Sequence, residues 1–220
     1  MTELERGTPT SRHIRPELLL SFGLIFPERS QVLRAYYQDV DDRRRRRAGE
    51  FEDELLNAAQ RSPDEIINLI LNDERAGELF ERGVQAALLT ADERHRRALA
   101  RAVASGLLAN DEAEVNQRQF IFDALASLAE PHIHVLIQIA QPYPGYEEDK
   151  HKPPGERRAW GWSLEALSQH LPGLVPVLSP VVSVLLGNGL IEDKDIRRWV
   201  VTDYGKQAVR LLEEEDVEDS

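Results

Sequence analysis

LPGLVPVLSPVVSVLLGNGLIEDKDIRRWVVTDYGKQAVRLLE, residues 171–213, is the stretch whose reading decides how this chain folds. Ser179 followed by Pro180 is a helix-start signal: a hydroxyl to accept an orphan N–H, then a ring suited to the first helical position. The expected helix carries Val181, Val182, Val184, Leu185 and Leu186. It stops at Gly187, Asn188 and Gly189, residue types that tolerate the left-handed turn after a helix. Leu190 and Ile191 resume an apolar run, residues 192–195 read as a polar hairpin tip, and Trp199, Val200, Val201 and Thr202 as the returning strand. Thr202 and Asp203 then cap a last helix, residues 204–215, with Ala208, Leu211 and Leu212 on one face. The predicted order is helix, strand, hairpin tip, strand, helix.

Working upstream, residues 131–141 and 163–171 also read as helices. Between them lies QPYPGYEEDKHKPPGERRAWGW (141–162), a polar insertion rich in proline, glycine and aromatics. A loop of that length is functional or disordered. The run GLI at 189–191, a charged tip, and WVVTDYGKQAVRLL at 199–212 are similar to the GLI…T..G signature that closes many bacterial winged-helix domains. The resemblance implies a winged helix-turn-helix over 131–215, with the hairpin as its wing.

Residues 16–130 read as an antiparallel helical bundle, after a polar, flexible lead at 1–15. Residues 16–27 (PELLLSFGLIFP) are apolar and expected to dock on the chain's own core or on a second subunit. Residues 28–61 form one long predicted helix, with Leu33, Tyr37, Val40, Arg44, Ala48, Phe51, Leu55 and Ala58 at helical spacing. Five arginines at 43–47 interrupt the stripe. They read either as a phosphate-binding patch or as a solvated stretch paired with nearby acids at i,i+3 and i,i+4. Five consecutive residues point all round a helix, which favours the second reading. Ser62, Pro63, Asp64 and Glu65 open the next helix, and Asn72 and Asp73 end or kink it. Another follows at 76–89. Residues 90–93 (TADE) read as a capping box for a helix at 94–109, with Leu99, Val103, Leu107 and Leu108 inward and Arg94, Arg96, Arg97 and Arg101 outward. Asn110 and Asp111 cap a helix at 112–129 that carries Val115, Phe120, Ile121, Leu125 and Leu128. Short loops throughout make the helices antiparallel neighbours. The fold class expected is mostly α: a helical bundle, then a winged-helix domain with a small β-hairpin, then an acidic tail at 216–220.

A second resemblance rests on LARAVASGLL (99–108), FIFDALASLAEPHIHVLIQIA (120–140) and the GLI…T..G close, in that order. This order is similar to the Abi-alpha family, bacterial proteins associated with phage-resistance loci. It implies a phage-defence context and brings no catalytic residues with it.

Composition narrows the function classes. With 27 basic and 39 acidic side chains the net charge is −12, and the acidic balance holds over residues 61–130 and again over 131–220. A duplex-DNA reader ordinarily carries a basic footprint. No cysteine is present, which removes disulfides, thiolate catalysis and zinc–thiolate sites and fits a reducing compartment. No secretory signal is visible, and the expected setting is the bacterial cytoplasm. Residues 166–191 are uncharged and long enough to span a bilayer, but Pro172, Pro176 and Pro180 break them into a loop and a short helix. A membrane-associated protein is the weakest of three readings.

The candidate sites follow from chemistry. Residues 174–186 contain no Lys, Arg, Asn, Gln or His, whereas a recognition helix needs polar and basic groups for base edges and phosphates. Val177, Ser179, Pro180 and Ser183 on its exposed face suit a protein partner or a second copy of the chain. Tyr143, Tyr146, Trp160 and Trp162 flank the insertion, either as aromatic anchors for that partner or as pins holding the loop. The alternative is a DNA-binding regulator using Lys194, Arg197 and Arg198 of the wing with Lys150, Lys152, Arg157 and Arg158 of the insertion. Asp193, Asp195, Glu147, Glu148 and Asp149 oppose those cations. His132 and His134 point to different helix faces, His95 reads as a solvated helix residue, and His151 and His170 show no ligand spacing, so no metal is expected. Without a phosphate-cradling glycine loop, nucleophile elbow or HExxH, neither an enzyme nor a cofactor is expected.

Overall fold

The computed structural model describes residues 27–109, 111–146, 151, 161–194 and 197–213, with side-chain detail from residue 38. The lead at 1–15, most of the 16–27 segment, most of the insertion and the 216–220 tail lie outside them. The described residues are mostly helical with one two-stranded antiparallel sheet near the C-terminal end. In chain order they form α1 (Pro27–Ala59), α2 (Pro63–Asn72), α3 (Glu74–Leu89), α4 (Glu93–Leu107), α5 (Glu112–Ala126) and α6 (Glu130–Ala140). Then come α7 (Leu164–His170), a 3-10 helix (Pro172–Val177), α8 (Leu178–Gly187), β1 (Ile191–Asp193), β2 (Trp199–Val201) and α9 (Asp203–Glu213).

Contacts divide the chain into two units, Met1–Arg46 and Arg47–Ser220. In the first, the described part is the leading portion of α1. There Arg43 pairs with Asp39 at 2.9 Å and Arg45 with Asp42 at 3.5 Å, both across one helical turn and both exposed. In the second unit Arg47 donates to the Leu88 carbonyl at 2.7 Å. Arg43, Arg45 and Arg47 are thus engaged by acids or backbone, which is how a solvated helix accommodates such a run.

The helix starts follow their sequence signals where a short polar side chain sits at the right place. Ser62 accepts from the Glu65 N–H while Glu65 returns to the Ser62 N–H at 2.9 Å, a complete capping box. Those bonds from Ser62, with Arg61 nearby, hold the Glu65 carboxyl below its ordinary pKa. Asp73 ends α2 and caps α3, and Asp111 caps α5. The 90–93 box is corrected: Asp92 alone caps α4, while Thr90 closes α3 and its hydroxyl donates to the Ala86 carbonyl. The helix predicted from Ser179 is also corrected. It begins at Leu178 after a 3-10 turn, and its cap position, Val177, makes no side-chain bond. Pro180 is accommodated as the third residue because the N–H it lacks would be an orphan there anyway.

Helix α4 is the hub of the second unit. It is packed by α3, α5 and α9, and Ala98, Leu99, Ala100, Ala102, Val103 and Ala104 are all fully buried. Its alanines let neighbours approach on several sides, so no face is left for solvent over much of its length. Around it the core takes Phe51, Leu55 and Ala59 of α1, Leu79 and Ala87 of α3, and Ile121, Phe122 and Leu125 of α5. Two stripe positions are corrected: Ala59 rather than Ala58 faces inward, and Phe122 is buried where Phe120 is half exposed. The core does not stop at residue 130. Ile133, Val135, Leu136 and Ile139 of α6, Leu178, Val181, Val182 and Leu185 of α8, and Ala208, Val209 and Leu212 of α9 join the same cluster. Helices α5 and α6 meet at 118° with no linker between separate cores.

The hairpin forms with Trp199–Val201 as its returning strand, but the tip is corrected: Glu192 and Asp193, read as tip residues, belong to β1, in the register Ile191↔Val201, Glu192↔Val200 and Asp193↔Trp199. A third segment, not foreseen, joins it: Trp162 and Trp199 exchange two backbone hydrogen bonds of 2.9 Å in an antiparallel bridge. The GLI…T..G residues converge at one joint. The Thr202 hydroxyl lies 2.7 Å from the Gly189 carbonyl as its donor and accepts the Gly205 N–H at 2.9 Å, capping α9. The Thr202 N–H donates to the Leu190 carbonyl at 3.0 Å. Gly205 is required there because a Cβ would overlap that same carbonyl and the Val201 side chain. Among the described residues, no single helix is long and apolar enough to cross a membrane.

Candidate functional site

The 3-10 helix and α8 present an uncharged ridge. Leu178, Val181, Val182 and Leu185 point into the core, which fixes the opposite face outward. That face shows Val175 at 50% exposure, Val177 at 40%, Val184 at 37% and Leu186 at 37%. Ser179, Pro180 and Ser183 are exposed beside them. The Ser183 hydroxyl donates back to the Ser179 carbonyl at 3.0 Å, so its donor is used within the helix. On α7, packed against α8, Leu164 is also exposed at 41%. From Leu164 to Leu190 the chain carries one formal charge, Glu165. In a protein with 30% charged residues such a surface stands apart.

The structure separates the aromatic candidates. Trp162 is buried, its indole N–H donating to the Gln141 carbonyl at 2.9 Å and its ring meeting His170 edge-on. Tyr143 is buried as well and stacks edge-on with the half-buried Tyr146. As partner anchors Trp162 and Tyr143 are corrected: they pin the end of the insertion to the core. Trp160 lies outside the described residues.

The cations proposed for nucleic acid fare unevenly. Lys194 pairs with Glu192 at 2.6 Å, and the Arg198 guanidinium reaches the Gly161 carbonyl at 3.4 Å. Arg197 is exposed at the hairpin tip with φ of 62°, its N–H directed at the Asp193 carboxylate. Lys150, Lys152, Arg157 and Arg158 lie outside the described residues, as do Glu147, Glu148, Asp149 and Asp195. On the described hairpin Lys194 and Arg198 thus have an acid and a carbonyl as side-chain partners, and no cation stands on the ridge.

Three polar groups were misplaced by the sequence reading, all on α4. His95 was expected in solvent and is 3% exposed. Its Nε2 lies 2.9 Å from the Leu125 carbonyl, an acceptor only, so that nitrogen carries the proton. Burial is the main influence and lowers its pKa, opposed by the Leu125 bond and the Asp92 charge. Arg96 and Arg101 were expected outward and are buried in ion pairs with Glu50 and Glu54 of α1. Arg96 also donates to the Thr90 and Ala91 carbonyls at 3.1 and 2.6 Å. These are structural groups in a packed interior.

The His95 shift carries a pH prediction. Its folded pKa lies below its ordinary value of 6.5, so the unfolded chain binds the proton more readily. Stability should therefore be complete above about pH 6.5 and fall as the pH drops toward the folded value. His95→Gln, which keeps a donor near Leu125, should show a flatter stability slope between about pH 7 and 5.5 in urea melts. An unchanged slope would rule out His95 as the titrating group.

Among the described residues no group of three or more His, Asp or Glu is placed to hold a metal ion. His132 Nδ1 accepts the Ala129 N–H at 2.9 Å and so acts as a helix cap. A cleft lined by Asp73, Arg75, Leu79, Gly106, Asp111 and Glu112 opens between α3, α4 and α5; Asp73 and Asp111 cap helices there and Arg75 pairs with Glu112 at 3.8 Å. No protein-family model matches the chain, and comparison with curated proteins and with solved structures finds no match.

Proposed function

We propose that this chain is a non-catalytic binding protein whose C-terminal region has a winged-helix arrangement and whose uncharged ridge meets a second copy of the chain. Support for the arrangement comes from the element order α6, the Trp162 bridge, α7, α8, β1, β2, α9, with the T..G joint closing the hairpin onto α9. The observation that carries the function is the ridge itself, exposed and apolar at Val175, Val177, Val184 and Leu186. A face of that kind marks contact with another macromolecule more often than with solvent. The uncharged ridge is where two molecules at −12 each meet without opposing like charges, so the net charge does not stand against a second copy there. On the resemblance to the Abi-alpha family alone, we propose a phage-defence context for the chain.

Val184→Glu sets a charge in the middle of the ridge and leaves the buried face untouched. Light scattering of the full chain should show an oligomer for the wild type and a shift toward monomer of about tenfold or more in Kd for the variant, with unchanged circular dichroism. A wild-type monomer at high protein concentration would overturn self-association. The DNA-regulator alternative predicts salt-sensitive DNA binding that Arg197→Ala weakens. The bare cation supply of the ridge argues against it.

A further inference from the structure

We propose that Arg101 is a shared clamp that ties the seating of α1 to the C-terminal turn of α9. Its guanidinium is buried on α4 and works in two directions. Nε donates to Glu54 Oε1 of α1 at 2.5 Å, and Nη1 donates to the Leu211 carbonyl of α9 at 2.9 Å. Leu211 lies on the closing part of the described α9, and Arg101 holds its carbonyl from another helix, across 110 residues of chain.

The coupling follows from what happens to a buried guanidinium without its acid. Glu54 is itself 8% exposed, so the pair is mutual: each charge is tolerated in the interior because the other is there. When α1 moves off α4, Glu54 leaves, and the stranded guanidinium gains by swinging to water. It then abandons the Leu211 carbonyl, and the end of α9 frays. The planar fork of arginine makes this double reach feasible, whereas a lysine ammonium is a point donor and serves one partner at a time. Because α9 also packs on β2 and α6, an event that draws α1 away is felt on the C-terminal side of the molecule through one side chain.

Hydrogen exchange on the full chain tests this. Arg101→Lys keeps a cation beside Glu54 and should leave amides of residues 50–59 protected while those of 209–213 exchange about tenfold faster. Glu54→Gln should accelerate both segments, through the guanidinium that the two share. Amides 121–125 of α5 serve as the reference, since general destabilisation moves them too. Unchanged protection at 209–213 relative to that reference in Arg101→Lys would overturn the clamp. So would acceleration in Glu54→Gln confined to α1. Should Glu54→Gln fail to fold, the lysine variant decides alone.

Discussion

Gly205→Ala is expected to destabilise the protein by roughly 2–3 kcal/mol, in spite of the rule that alanine improves a helix. On an open helix surface the same change would stabilise by about 1 kcal/mol. Here the new Cβ would fall inside contact distance of the Leu190 carbonyl and lie 2.6 Å from Val201 Cγ1. The Leu190 carbonyl cannot retreat, because it accepts the Thr202 N–H and belongs to the turn that feeds β1. Packing therefore outweighs propensity. Gly187→Ala is the control, since nothing lies within 4 Å of its added Cβ, and it should be neutral or mildly stabilising. Urea melts of both variants give the comparison. Equal midpoints for the two would show that the joint relaxes freely and that the close approach has no energetic weight.

That joint explains why the C-terminal part of the fold was legible. The hairpin's start and the capped last helix are each encoded by a short local run: Gly189 with Leu190 at one end, Thr202 with Gly205 at the other. Local chemistry specifies them, so a sequence pattern can reveal them. The caps at Ser62 and Asp111 and the helix end at Asp73 were readable for the same reason, whereas the use of Asp73 as the cap of α3 was not read. The start of α8 was not, because Ser179 and Pro180 form a signal whose use depends on the turn before them. The 3-10 segment carried the chain into helix two residues earlier. The Trp162 bridge was missed because one residue pairing 37 positions away leaves no periodicity.

Helix α4 shows the other limit. Sequence spacing assigns one inward face, with arginines opposite. The helix is in fact surrounded: Arg96 lies on the Leu99 and Val103 side and Arg101 nearly opposite Leu99, yet both reach α1, whose Glu50 and Glu54 lie one turn apart. No pattern within α4 announces that partner. The signal lay in two segments read separately: acids at 50 and 54, and arginines at 96 and 101. Likewise His95 was assigned to solvent because Asp92 and Glu93 precede it, while the Leu125 carbonyl that receives its proton is 30 residues downstream. The ridge at Val177, Ser179, Pro180 and Ser183 was read in its observed exposure, because four core residues on α8 fix which face remains.

Glu54→Ala should cost about 3–5 kcal/mol, because it leaves the Arg101 guanidinium buried without its counter-charge. Arg101→Ala should cost a similar amount by stranding Glu54 and the Leu211 carbonyl together. The double replacement Glu54→Leu with Arg101→Met removes both charges and fills their volume. It should be milder than either single change, since what is expensive is a lone charge in the interior rather than the missing pair. A double-mutant cycle in urea therefore predicts strongly non-additive energies. The exposed pair Arg45–Asp42, at 3.5 Å, is the counterpart: Arg45→Ala should change stability by only a few tenths of a kcal/mol. Additive losses at Glu54 and Arg101 would mean that water reaches the pair and screens it as it does the exposed one. In that case Arg101 would have no reason to release α9 when Glu54 departs, so the same cycle bears on the clamp as well as on stability.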